Sequence, residues 1–286
     1  MNRFRRMFKV RTIKTEYWMP GDNYLEKIAE AVKGKVADGD IIVVSEKAIS
    51  VAKGLIIDEK KIKPSLLAKF LARVWMRIIW GYFLGKICRL KSKNIERLRN
   101  YPLKEGSAHK EVALRYAGFL NALMWGSEGG IDGSNLPYAY VSLPLRNPKN
   151  VADEIKRYLS IKLSKEVSIM IVDSDKTYSL GGFHITHRPT PIEGIHNLLG
   201  FTAYIIGRFL KLKRRATPIA LSGIKMDVNL ALEIANIADK AMGPGAGYSV
   251  WDMVERFGTS LTGVTWSMLR KMEHKPIVIV RFRRRR

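Results

Sequence analysis

The sequence is poor in several of the residues from which functional sites are commonly built. It has one cysteine, Cys88, in 286 residues. That excludes an internal disulfide framework and any zinc or iron–sulfur centre held by cysteines, and it points to a reducing compartment. Uninterrupted apolar runs are also missing: the longest candidate, Leu66 to Leu90, is broken by Lys69, Arg73, Arg77 and Lys86, so it does not read as a membrane span. The basic N-terminus MNRFRRMFKV lacks the apolar stretch of a signal peptide. No Gly-x-Ser-x-Gly elbow, His-Glu-x-x-His helix, Walker loop or dinucleotide fingerprint occurs. With 47% hydrophobic residues the chain can still bury a core, and it reads as a cytoplasmic α/β protein.

Acidic residues are scarce too, 26 against 50 Lys and Arg, for a formal charge of +24. The imbalance is local. Residues 1–15 carry six basic residues and no acid, residues 60–99 carry twelve against Glu96 alone, and the final RFRRRR adds five. The rest of the chain is nearly neutral. In the segment 66–90, Lys69, Arg73 and Arg77 recur every four residues, one stripe of a helix with Leu, Phe, Trp and Ile around the remainder. Such a helix can be packed with a solvated stripe, or it can lie peripherally on an anionic membrane or cover a partner. Charge without a recognisable nucleic-acid fold does not make this a nucleic-acid protein. Binding driven by the ends would be lost on deleting Arg283 to Arg286.

Strand-like and helix-like segments alternate, which predicts a mixed α/β (α+β) fold. Residues 7–16 alternate as a strand, and about Asn23 to Val36 is amphipathic. Ile41 to Val44 and Val167 to Val172 are short apolar runs of buried strands. Helices are expected over 107–125, 150–163, 196–212 and 227–242, and a closing strand over Pro276 to Arg281. The division suggested is 1–250 as one region containing the basic helical segment 60–99, and 251–286 as an insertion, closing strand and basic tail.

Two places have chemistry. Asp132 and Asn135 sit in a Gly-, Ser- and Asp-rich loop, where small neighbours let backbone approach a ligand and a carboxylate can hold Mg2+ or Mn2+. Asp173-Ser174 ends an apolar strand, where open α/β sheets put ligand sites. Brought together, two carboxylates repel, and a divalent cation resolves the repulsion. The same residues also read as turn and helix-cap chemistry. Gly243-Pro244-Gly245-Ala246-Gly247 follows a helix and serves as its stop. His184, His187 and His196 with Glu193 read as a polar loop or, failing that, a zinc cluster.

These pieces occur in a recognisable order. Pro20-Gly21-Asp22, Asp38-Gly39-Asp40 with the run Ile41 to Gly54, Pro64-Ser65, Gly130-Ile131-Asp132-Gly133-Ser134-Asn135, Asp173-Ser174, the helix around Ala231 to Met242 and Pro276 to Arg281 together resemble the coenzyme F-420-0:gamma-glutamyl ligase family. The resemblance implies a two-domain α/β fold in an intertwined homodimer, and GTP-dependent joining of L-glutamate to a substrate carboxylate through an acyl phosphate. It implies Mg2+ or Mn2+ held by Asp132, Asp173 and Ser174, with nucleotide contacts from Glu46, Lys47, Lys53, Asn135, Gly243 and Gly245. The sequence departs from the family where its Ser-Lys-Ala-Glu-Gly becomes Ser50-Val51-Ala52-Lys53-Gly54, leaving Val51 for a phosphate-facing lysine. Lys53 would point the same way if the segment were a strand. The family's Gly-Arg stretch after Asp-Thr is also absent after Asp173-Ser174. A ligase-like protein without turnover, docked through its basic helix, is the alternative.

Overall fold

A computed structural model describes residues 7–197 and 200–283; the basic residues Arg3, Arg5, Arg6 and Arg284 to Arg286 lie outside them. In chain order the elements are β1 (Phe8–Thr15), α1 (Tyr24–Val32), β2 (Ile41–Ser45), α2 (Glu46–Ala52) and β3 (Ile56–Asp58). A long helix α3 begins as Leu66–Phe70, continues π-wound over Leu71–Leu84 and ends with Gly85–Ile87. Then come α4 (Ser92–Arg99), α5 (Leu103–Tyr116), α6 (Phe119–Ala122), β4 (Tyr140–Ser142), α7 (Pro148–Leu163), β5 (Ser168–Leu180), β6 (Phe183–Thr186) and β7 (Ile195–His196). The chain closes with α8 (Thr202–Phe209), β8 (Lys213–Ser222), α9 (Val228–Met242), α10 (Val250–Phe257), α11 (Trp266–Arg270) and β9 (His274–Phe282).

The mixed α/β class expected from the sequence is what forms. Seven strands make one sheet in the order β1-β9-β2-β5-β6-β7, with β8 on the other side of β5; β3 and β4 form a separate pair. The run Ile41-Ile42-Val43-Val44 is apolar throughout because both faces of the sheet are covered. Ile42 and Val44 pack with Ile28 and Val32 of α1 and Ile155 and Leu159 of α7. Ile41 and Val43 pack with Ile234, Ala235 and Ala238 of α9 on the opposite face. The closing strand β9 sits between β1 and β2. A helical lobe formed by α3, α5 and α6 has its own core, with Trp80, Val112, Ala113 and Met124.

Helix caps explain several boundaries. Asn23 accepts from the amides of Leu25 and Glu26 at the start of α1, and Asp227 from Asn229 and Leu230 at the start of α9. The helix expected over 107–125 is split at Gly118, whose φ of 84° no α-helix accommodates. Two expectations fail in ways that matter for function. The segment after Ser45 is helical, not extended, so Val51 and Lys53 do not share a side. And Asp173-Ser174 does not end a strand: β5 runs on to Leu180, because Thr177 and Tyr178 are buried between β6 and β8.

Candidate functional site

The site forms where β5 changes neighbours. Its first half pairs in parallel with β2 as far as Ser45↔Val172, and its second half pairs with β6 from Thr177 onward. Between them the register against β8 shifts at Asp173/Lys176. A bulge re-aims side chains, and here it presents Asp173, Ser174 and Asp175 just past the end of β2. The loop 126–137 lies across the same opening, held by isolated bridges Glu128↔Ile131 and Asp132↔Ser142.

Four carboxylates meet there. Asp132 accepts from Lys47 Nζ, from the Ser134 amide at 2.6 Å and from Ser134 Oγ at 3.0 Å. Lys47 also donates to Ser134 Oγ at 2.7 Å. Asp173 accepts from Arg188 Nε at 2.9 Å, while Arg188 Nη2 donates to both oxygens of Glu46 at 2.6 and 2.7 Å. Glu46 also takes the Leu145 amide at 2.9 Å. Asp175 accepts from Ser127 Oγ at 2.7 Å and stands 3.5 Å from His187 Nε2. Burial, then the charge of Asp175, with Glu46 and Asp132 adding and Arg188 only partly offsetting, pushes the Asp173 carboxyl up to about 7. The two acids that the sequence singled out, Asp132 and Asp173, therefore lie within each other's field.

Arg188 was not legible as a site residue. The hairpin β5–β6 returns it to Asp173 from fifteen positions along the chain, supplying an arginine where the stretch directly after Ser174 has none. Gly130 makes room for it: φ is +97°, and a Cβ there would lie 2.5 Å from Arg188 Nε. The other histidines disperse. His184 bonds Ser179 at 2.8 Å and His196 stacks on Phe183. No group of three His, Cys, Asp or Glu side chains among the described residues is arranged around a metal position, so the zinc alternative has no support.

The remaining predicted residues divide. Asn135 and the 243–247 loop are brought together, but through each other: the Asn135 amide donates to Pro244 O and Gly247 O and accepts from Ala246 N. Gly245, at φ +60°, would drive a Cβ to 2.6 Å from Asn135 Oδ1. The Asn135 side chain thus positions this loop. Lys53 is turned away, its Nζ 5.1 Å from the centre of the Tyr24 ring, and Val51 is buried.

A cavity of about 1210 Å³ opens from the cluster toward α3 and α5, with Asp132, Ser174, Asp175, Lys176 and His187 on its wall. A second acidic group lines it: His109 bridges Glu59 at 2.6 Å and Glu128 at 3.0 Å, and the fully buried Lys110 reaches Glu128 at 2.6 Å. Burial lowers the basicity of His109, but Glu128 and Glu59 outweigh it and hold the imidazole well above its usual range. Burial likewise raises Glu128, and Lys110 and His109 overrule it, bringing the carboxyl down to about 2. None of these four was marked by the sequence pattern, since His109-Lys110 sits inside an ordinary helical stretch.

Comparison with known proteins gives a consistent picture. The family model described as F420-0:Gamma-glutamyl ligase matches residues 12–247. The chain is 35% identical over 283 residues, 95% of each chain, to the uncharacterized protein MJ1361 of Methanocaldococcus jannaschii. It is 25% identical over 158 residues, 54% of each chain, to the coenzyme F420:L-glutamate ligase of Methanopyrus kandleri.

Proposed function

The chain belongs to the F420-0:gamma-glutamyl ligase family, and we propose that it is a ligase that joins the amino group of L-glutamate to a substrate carboxylate, using GTP and a divalent cation. The observation that carries this reading is the charge imbalance at the cavity wall. Among the described residues Glu46, Asp132, Asp173 and Asp175, of which Asp132 and Asp175 line the cavity, pair with two permanent cations, Lys47 and Arg188. The part-buried cluster has more carboxylates than cations, and although no three of its acids converge on one metal position, a divalent ion held by fewer of them offsets the excess. Asp132, Asp173 and the Ser174 hydroxyl would hold it, and the ion would supply charge stabilisation for a transferring phosphoryl group.

In the reaction, an oxygen of the acceptor carboxylate takes the γ-phosphoryl group of GTP and GDP leaves. The glutamate amine then attacks the acyl carbon, releasing phosphate and one proton. Lys176, Lys60, Lys69 and Arg73 line the cavity and favour anionic reactants. His187 faces the cavity with neither ring nitrogen hydrogen-bonded within the described residues. It stands 3.5 Å from the Asp175 carboxylate, a placement suited to taking the amine proton. The proton acceptor must be free when the amine arrives, which fits a ring without a bonded partner. The family resemblance extends the reading to a homodimer.

Calorimetric titration of GTP with Mn2+ and with Mg2+, against the wild type, Asp132→Asn and Asp173→Asn, tests the site. Tight binding by the wild type and weakened binding by both variants is expected; unchanged binding in both overturns the site. Absence of GTP binding by the wild type favours the alternative of a ligase-like protein without turnover, for which the turned-away Lys53 is the supporting observation.

A further inference from the structure

Helix α3 buries Leu71, Ala72, Met76 and Trp80. Trp75 and Trp80 fix its rotation by donating their indole N–H groups to Leu123 O at 2.7 and 2.8 Å. The face left outside is apolar: Leu66 is 84% exposed, Phe70 53% and Phe83 58%, with Ile78 and Ile87 also exposed. The steps between them are four, eight, five and four residues, each close to one or two turns of this α- and π-wound helix, so they share one side. Isolated exposed apolar residues need no explanation, but a continuous stripe of them does.

The charged residues beside the stripe are all cations. Lys69, Arg73, Lys86, Arg89 and Lys91 are exposed, and none is in an ion pair among the described residues. No Asp or Glu occurs from residue 60 to residue 95. By contrast, the cations of this region that serve the fold point inward, Arg77 to Tyr101 O at 2.8 Å and Arg99 to Gly81 O at 3.0 Å. A second element extends the patch. Arg208 of α8 donates to Cys88 O and Arg89 O, each at 2.8 Å, which brings Phe209 (58% exposed) and Leu210 alongside the end of α3. Exposed Lys211 and Arg214 follow.

We infer that this face docks the protein on an anionic lipid surface, with α3 lying flat in the headgroup region. Apolar side chains interleaved with cations match the boundary between acyl chains and anionic headgroups. No helix among the described residues is long and apolar enough to cross a membrane, so the contact is peripheral. A second copy of the chain fits less well: pairing this face with its own image sets an acid-free segment against another, and like charges repel. A nucleic acid would meet the cations but leave Leu66, Ile78 and Ile87 against phosphates. Lys69, Phe70 and Arg73 also line the cavity, so the docked surface borders its mouth.

Co-sedimentation of the full chain with phosphatidylglycerol vesicles and with phosphatidylcholine vesicles tests this without GTP or turnover, so its outcome is independent of the ligase reading. Binding to the anionic vesicles at low salt, lost in high salt, is expected. Phe83→Ser and Ile87→Ser, both outside the cavity wall, should each weaken partitioning by about tenfold, as expected for withdrawing one large apolar side chain. The pair Lys86→Glu with Arg89→Glu should do the same by charge. No sedimentation with phosphatidylglycerol, or equal sedimentation with both lipids, overturns the inference. So does a solution dimer that Phe83→Ser converts to monomer while vesicle binding is absent.

Discussion

Two acidic clusters share one cavity and have opposite electrostatics. In the first, Glu59 and Glu128 are matched by His109 and Lys110, and the neighbours hold the His109 imidazole and the Glu128 carboxyl in their charged forms. In the second, Glu46, Asp132, Asp173 and Asp175 have only Lys47 and Arg188, and Asp173 is pushed toward its protonated form. The matched cluster has no need of a ligand and ties α5 to the loop 126–137. The unmatched one carries an excess of carboxylate, where the cation of the proposed reaction would bind. Proximity of carboxylates therefore does not by itself mark a metal site; the ratio of carboxylates to resident cations distinguishes the two.

The largest effect should come from breaking the matched cluster. Lys110→Met leaves Glu128 buried at 1% side-chain exposure without its principal cation, and should cost about 3–5 kcal/mol of stability by urea denaturation. Adding Glu128→Gln should recover much of that loss, since the buried charge is gone. A single variant that melts like the wild type would refute the role assigned to the pair. In the unmatched cluster the same kind of change should do the reverse. Asp173→Asn relieves repulsion and should leave the protein no less stable without metal. It should weaken Mn2+ binding by more than about a hundredfold, because losing even an outer partner of a metal ligand costs 10–100-fold.

This contrast also marks how far the sequence could be read. The buried strands β2 and the start of β5 were legible because covering both sheet faces demands unbroken apolar runs, and α1, α7 and α9 because their apolar residues repeat with a helical period. β8 was not: Lys213, Arg214, Arg215 and Pro218 disguise it, although Arg215 is buried against Glu233 and Asn229 by the fold. Asp132 and Asp173 stood out through their local context, a glycine-rich loop and an apolar run. Arg188, the partner of Asp173 and Glu46, did not, because a hairpin carries it back. The helical lobe was legible as a basic amphipathic helix and a helix over 107–125; that it walls a cavity depends on long-range packing. The misassignment of Lys53 came from taking a helical segment as extended, which inverts the direction of a side chain two residues away.

Gly130→Ala sharpens the comparison by disturbing the unmatched cluster without removing a charge. The new Cβ meets Arg188 Nε at 2.5 Å and the residue is held at φ +97°. A strained position of this kind costs about 1–3 kcal/mol, and displacing Arg188 should also weaken Mn2+ and GTP binding. Thermal melts with calorimetry would separate the two effects; a variant that loses neither would remove Arg188 from the site.

The smallest expected effect is in the pH dependence, where the clusters differ in sign. Glu128 is brought down to about 2, so its contribution is fully present above the ordinary carboxylate range and is lost as pH falls toward 2. Asp173 is pushed up to about 7, so the native state binds more protons than the unfolded chain between the usual carboxylate value and 7. Without metal, its contribution to stability therefore falls as pH rises through that window. Metal binding should follow the opposite course, strengthening as pH rises through about 7, because the carboxyl must lose its proton to become a ligand. Melting the wild type and Asp173→Asn side by side from pH 4 to 8 isolates the residue. The gap between them should open in favour of the variant as pH increases without metal, and reverse when Mn2+ is added. A gap independent of pH would mean that Asp173 is charged throughout, and the excess of carboxylates would then lose its role in recruiting a cation.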